Sequence, residues 1–190
     1  MGKVFEVLDQ TLIEFIQQQK VFFVASAPLA ADGHVNVSPK GYDSLAVLSN
    51  TSVAWLDMGG SGIESMSHTR ENGRMTLMFC AFTGPANILR LYGKAEVVQF
   101  DDPGFAELLA KFPAHDKARN IFTLQIDRIA DACGWGVPFM DFVEEREQLK
   151  LYHANPKRDR ACWHDRFRTN NATSIDGLPG IKPATEPDTS

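Results

Sequence analysis

Cysteine is scarce in this 190-residue chain, and its placement excludes more than its number does. Cys80, Cys133 and Cys162 are odd in number, far apart and in no CxxC pair. Neither a disulfide framework nor a four-cysteine zinc site is indicated, and free thiols suit a reducing compartment. Positive charge is also short: 19 Lys and Arg stand against 24 Asp and Glu, for a formal net charge of −5. No basic run is long enough to neutralise a phosphate backbone, so no nucleic acid partner is expected. Long apolar runs are missing as well, with nothing near the ~18 uninterrupted residues of a membrane span. The first ten residues carry Glu6 and Asp9 where a signal peptide needs a basic start and an apolar core. These absences predict a cytoplasmic protein with no membrane association.

The usual catalytic signatures are missing too. There is no G-x-S-x-G elbow and no H-E-x-x-H pair, and no metal site is expected. His68, His115 and His153 are isolated and read as surface or capping residues. Cys162-Trp163-His164-Asp165 has the residue types of a Cys/His site, but adjacent residues on one strand or helix turn point apart. No side chain stands out as a catalyst, which fits a protein whose cofactor carries the chemistry.

What is present is a chain of short strands. A hydrophobic content of 44% is enough for one buried core. Leu8, Leu12, Phe15 and Ile16 at helical spacing predict an amphipathic helix over Phe5 to Gln19. Period-two alternation and β-branched or aromatic enrichment predict strands at 21–26, 34–38, 45–48, 53–57, 75–82, 88–100 and 120–126. Helices are expected at 62–72, 103–112 and 142–152. Many strands, short connections and few helices favour a closed antiparallel barrel over a doubly wound sheet. The fold class is therefore α+β, mainly antiparallel β, with flanking helices. Residues 1–152 are expected to form the barrel. Residues 153–190 are expected to form a carboxy-terminal extension, packed on the barrel or on a partner, with a loose Pro-rich end.

Two segments could carry binding chemistry. In His34 to Ser38, Val35 and Val37 face one way while His34, Asn36 and Ser38 face the other, with Lys40 beyond. A solvated strand face explains such alternation by itself. Ser38-Pro39-Lys40-Gly41 adds a cation and a close backbone approach suited to an anion. The second segment, Asp57 to Ser65, runs from a strand end through a glycine-rich loop into a helix start, where free N–H groups attract phosphate. No Gly-Lys-Ser/Thr follows and the third glycine of the dinucleotide fingerprint is absent, so adenine nucleotides are disfavoured. Ser61 and Glu64 could instead form a capping box that satisfies the same donors. A phosphate could use Ser61, Ser65 and a nearby cation, Arg70 or Arg74.

Taken in order along the chain, these motifs resemble the pyridoxamine 5'-phosphate oxidase-like flavoproteins. Val35-Asn36-Val37-Ser38-Pro39-Lys40-Gly41-Tyr42-Asp43 is similar to that family's flavin-contacting strand. Leu56 and Asp57 match the strand end bordering the flavin ring, and Ser61, Gly62 and Ser65 fall in its phosphate loop. Arg90 to Glu96 is similar to the barrel strand that follows. Cys133 to Pro138, with Trp135, falls where the family approaches the flavin of the other subunit. Trp163-His164-Asp165-Arg166-Phe167 and Ser174 to Pro179 are similar to the carboxy-terminal elements that hold pyridoxal phosphate in the true oxidases.

The resemblance implies a split β-barrel, a homodimer with FMN at its interface, and a small-molecule substrate met by His164 and Arg166. Two departures bear on activity. The oxidases carry Arg-Lys on the phosphate loop, where this chain has Gly62-Ile63-Glu64, and an arginine two residues before the histidine, where it has Cys162. FMN-dependent oxidoreduction of another substrate is therefore the leading expectation. A genuine pyridoxamine or pyridoxine 5'-phosphate oxidase is the first alternative, and a non-catalytic flavin, deazaflavin or haem carrier the second.

Overall fold

The first residues of the chain already belong to the sheet. In the computed structural model, which describes residues 2–113, 117–157 and 159–183, strand β1 (Val4–Phe5) pairs with Ala130 and Ile129. Helix α1 (Gln10–Gln18) therefore starts later than the apolar spacing predicts. Its start is fixed by Asp9, whose carboxylate accepts from Leu12 N at 2.8 Å. Strands β2 (Phe22–Ser26), β3 (Asn36–Lys40), β4 (Leu45–Ser49) and β5 (Ser52–Asp57) follow, then helix α2 (Glu64–Asn72). Next come β6 (Arg74–Cys80), β7 (Ile88–Gln99), α3 (Phe105–Leu109) and β8 (Asn120–Ala132), and finally α4 (Gln148–His153) and α5 (Arg160–Asn170).

The strands form one eight-stranded sheet in the order β3-β2-β6-β7-β8-β5-β4, antiparallel throughout, with β1 added on β8. Strands β3 and β4 lie at opposite ends of this order, yet only residues 41–44 connect them. So short a connection spans about 17 Å at full extension, so the sheet must curl until its two edges approach. Left-handed backbone at Tyr42 (φ 60°) and Asp43 (φ 52°) turns the chain there. The edges do not pair among the described residues, so the closed barrel favoured by the strand pattern gives way to the split barrel that the resemblance implies. Lys40 Nζ, at the end of β3, reaches past the unpaired edge to sit 5.1 Å over the Trp55 ring of β5.

The inner face of the curl holds the core. Val24, Val53, Leu77, Leu89, Leu91, Phe122, Leu124 and Ile129 are fully buried, and Trp55 stacks on Phe122 at 4.2 Å. Leu12 and Ile16 of α1 and Trp163 and Phe167 of α5 join the same cluster. The long pairing of β7 with β8 shifts register between Tyr92 and Gly93. A Cβ at Gly93 would lie 2.0 Å from Gln125 O, so glycine is required at that close approach.

Three further expectations change. The helix predicted at 142–152 covers only Gln148–His153, because residues 142–147 run irregularly and the Tyr42 hydroxyl donates to the Arg146 carbonyl. The polar stretch after Tyr152, which shows no element by pattern, contains α5, capped by Asp159 accepting from Cys162 N at 2.8 Å. His68, read as a surface or capping residue, is fully buried, with Nδ1 3.0 Å from Ser26 Oγ; burial pushes its pKa down. His115 and the Pro-rich end at 184–190 lie outside the described residues. No helix among the described residues is long and apolar enough to cross a membrane.

Candidate functional site

The seam of the split barrel opens into a polar cavity of about 210 Å³. Asn36, Ser38 and Lys40 of β3 line one side, and the loop after β5, with Ser61 and Gly62, and Ser65 in the first turn of α2 line the other. Alternation along β3 explains the first side, since Val35 and Val37 turn outward and are exposed. The two sides are joined by Asn36, whose Nδ2 donates to Ser38 Oγ at 3.2 Å and to Ser65 Oγ at 3.0 Å. The structure thus gathers Asn36, Ser38, Lys40, Asp57, Ser61, Gly62 and Ser65 around one space. Leu56 is buried in the core.

The loop is shaped by residues that local sequence does not connect. Gly59 adopts φ 88°, and a Cβ there would meet the Phe167 ring at 2.7 Å, so glycine both turns the chain and makes room for α5. Beneath it lies a buried ion pair. Arg119 Nε and Nη2 donate to Asp57 Oδ2 at 3.0 and 2.7 Å, and Asn120 Nδ2 donates to the same oxygen at 3.3 Å. Asp57 Oδ1 accepts from Gly59 N at 3.1 Å. Burial alone would raise the Asp57 carboxyl, but the Arg119 and Lys40 charges and hydrogen bonds from Arg119 and Gly59 outweigh it and hold its pKa below 3.8. With its oxygens so engaged, Asp57 ties the loop to β8 at the edge of the cavity.

Sequence reasoning missed Arg119. Its only local sign is a cation set immediately before an apolar strand, and its partner lies 62 residues earlier. The Ser61/Glu64 capping box is not formed: α2 has Ile63 at its N-cap with no side-chain cap, and Glu64 Oε1 accepts instead from Ile175 N at 3.3 Å. The helix start is left for another acceptor. Arg70 and Arg74, the suggested cations, point elsewhere, donating to the carbonyls of Gly180 and Pro28.

The carboxy-terminal pair is separated. In a helix, residues two apart lie about 200° apart around the axis, so His164 and Arg166 face different ways on α5. His164 stacks on Phe100 at 3.8 Å, and burial, with Arg160 and Arg168 nearby, lowers its pKa. Arg166 borders a second cavity of about 360 Å³ between α4, α5 and the Gly59–Ser61 loop. Trp135 lies in neither cavity and is 86% exposed.

Beyond α5 the chain doubles back as a strap. Thr173 bridges to Pro179, and Gly180 N and Ile181 N donate to the carbonyls of Ala172 and Asn171, both at 2.8 Å. Asp176 fastens the strap to the entry of β3: its Oδ1 lies 2.6 Å from His34 Nδ1, and its Oδ2 accepts from His34 N at 2.8 Å. The hydrogen bond and charge of Asp176 raise the His34 pKa above 6.5, and the hydrogen bonds from His34 lower the Asp176 pKa below 3.8. A raised histidine contributes fully below its ordinary value and loses its contribution as pH rises through the folded one; a lowered carboxylate contributes above its ordinary value and loses it as pH falls. The fastening is therefore strongest between those limits. Amides of 174–181 should exchange faster, relative to the core strands, as pH is raised through the His34 transition. A pH-independent ratio, or the same dependence in His34→Ala, would sink this expectation.

The sequence profile of the pyridoxamine 5'-phosphate oxidase family matches residues 8–133. The pyridoxamine 5'-phosphate oxidase family protein ustO of Aspergillus flavus is 35% identical over 195 residues, covering 95% of this chain and 78% of its own. Among solved structures, HupZ of Group A Streptococcus matches with a TM-score of 0.51 at 18% identity, over 70% of this chain and 99% of that one. A variant of the same protein matches with a TM-score of 0.51 at 19% identity, over 65% and 98%. At such identity these structural matches establish the fold alone.

Proposed function

Because the chain belongs to the pyridoxamine 5'-phosphate oxidase family, we propose that it is an FMN-binding oxidoreductase acting on a small molecule, working as a cytoplasmic homodimer. The observation that carries the reading is the convergence of the β3 polar row and the Ser61–Ser65 loop on one cavity. Its donor set fits a phosphate: main-chain N–H groups at the start of α2, the Ser61 and Ser65 hydroxyls, and the Lys40 ammonium. Glu64, which would repel an anion, has one carboxylate oxygen engaged by the strap. A cavity of about 210 Å³ takes the phosphate end of FMN and leaves its ring at the seam. Bound flavin would supply the redox step. The chain's own residues bind and orient: the loop and Lys40 fix the phosphate, and Asn36 and Ser38 offer polar contacts along the flavin edge. The separation of His164 from Arg166 weighs against a one-chain site for a second phosphate.

Titration of the purified protein with FMN, followed by visible absorption and calorimetry, tests the reading directly. A saturable yellow complex is expected, and no binding would overturn it. Lys40→Ala should weaken FMN by about 1.5–3 kcal/mol, the worth of a charge-assisted hydrogen bond. An unchanged affinity would return Lys40 to a seam residue that only packs on Trp55.

A further inference from the structure

We infer that Arg119 is a positioning residue for the proposed phosphate site, acting by fixing which way the Gly60–Ile63 peptides face; the inference rests on the FMN reading above. The Arg119 Nη1 donates to the carbonyls of Gly60 at 3.3 Å and Gly62 at 2.8 Å. Asn171, at the end of α5, donates through Nδ2 to the carbonyls of Gly60 at 3.4 Å and Ser61 at 3.1 Å. No peptide here is cis. In a planar trans peptide the N–H points opposite to its C=O, so holding these carbonyls inward turns the N–H groups of Ser61, Gly62 and Ile63 away from Arg119 and Asn171. Successive N–H groups facing one way form an anion nest, and they continue directly into the uncapped start of α2.

The guanidinium is suited to this task in a way an ammonium is not. Its planar fork carries five N–H donors, which lets it hold Asp57 with one end and two loop carbonyls with the other. Pairing with Asp57 neutralises it, so its contribution to an anion works through geometry while Lys40 and Ser65 remain for direct contact. The glycines suit the same design, because the loop must bring its backbone and not side chains to the ligand.

The test compares FMN with riboflavin, which lacks only the phosphate, in the intact protein. Arg119→Lys keeps the buried charge balanced but loses the fork. The preference for FMN over riboflavin should fall about tenfold, the equivalent of one amide hydrogen bond to a charged oxygen, while riboflavin affinity stays at the wild-type value. Asn171→Ala, which leaves the ion pair intact, should lower the same ratio, and it keeps the inference open to test if Arg119→Lys fails to fold. A residue with only a structural role would lower both affinities together and leave the ratio unchanged; that result in both variants overturns the inference alone. A wild-type protein that binds neither flavin overturns the functional reading, and this inference with it.

Discussion

Replacing Asp57 by alanine should lower the free energy of unfolding by about 3–5 kcal/mol, the usual cost of stranding one member of a buried ion pair. Asp57 and Arg119 are only 3% and 5% exposed, so the guanidinium left behind would have little water to turn to. Its remaining bonds, to the Gly60 and Gly62 carbonyls, do not neutralise it. The same logic predicts partial recovery in Asp57→Ala/Arg119→Met, because removing both charges removes the stranded one. Urea unfolding of the single and double variants measures both effects. A loss below about 1 kcal/mol in Asp57→Ala, within the range of an exposed pair, would mean that water reaches the pair. Acid titration gives an independent reading. The Asp57 pKa is lowered, so its contribution is complete above the ordinary value of 3.8 and fades as pH falls through the folded one. The core should therefore hold down to acidity at which surface carboxylates have already protonated.

The ion pair also marks the limit of what the sequence discloses. The strands are legible because side-chain alternation is local: Val35 and Val37 against Asn36, Ser38 and Lys40 can be read within six residues, and the structure puts those two sets on opposite faces. The glycine-rich loop is legible for the same reason. Arg119 is not, because its meaning comes from the register of β5 with β8, where Asp57 faces Asn120. The capping box misleads because S-x-x-E is a local pattern while the Glu64 carboxylate is drawn off by Ile175, 111 residues later. Helix α5 escapes notice because only Trp163 and Phe167, one helical turn apart, are buried in an otherwise polar stretch. Its helical form also turns His164 and Arg166, which an extended strand would put on one face, to different sides of α5. Each miss is a long-range contact overriding a short-range pattern.

In the proposed homodimer, separating the subunits should abolish FMN binding altogether, the largest effect expected at the site. In the proposed site the polar cavity would hold the phosphate end, while its apolar lining residues, Trp55, Ile63 and Met66, are buried in the core and leave a flavin ring without a cover. The chain carries such a surface elsewhere. After β8 it runs irregularly from Cys133 to Glu147, leaving Trp135, Phe139 and Val143 at 86%, 84% and 87% exposure, with Met140 and Phe142 also exposed. Met140 N donates to Phe82 O at 3.0 Å and the Tyr42 hydroxyl donates to the Arg146 carbonyl, so the arm is tied to the barrel while its apolar side chains project outward. Contiguous exposure of this kind marks an interaction surface. A twofold axis would place each arm on the partner and complete two equivalent sites at once. FMN held only by the dimer then stabilises the dimer, and each should protect the other on dilution. Sedimentation across a dilution series, with flavin fluorescence recorded in parallel, should show dissociation and release at the same concentration, raised by excess FMN. Trp135→Ala should weaken FMN by about 1–2 kcal/mol through lost aromatic contact without changing the fold. A monomer that keeps full FMN occupancy would overturn the arrangement and place the ring's cover within a single chain.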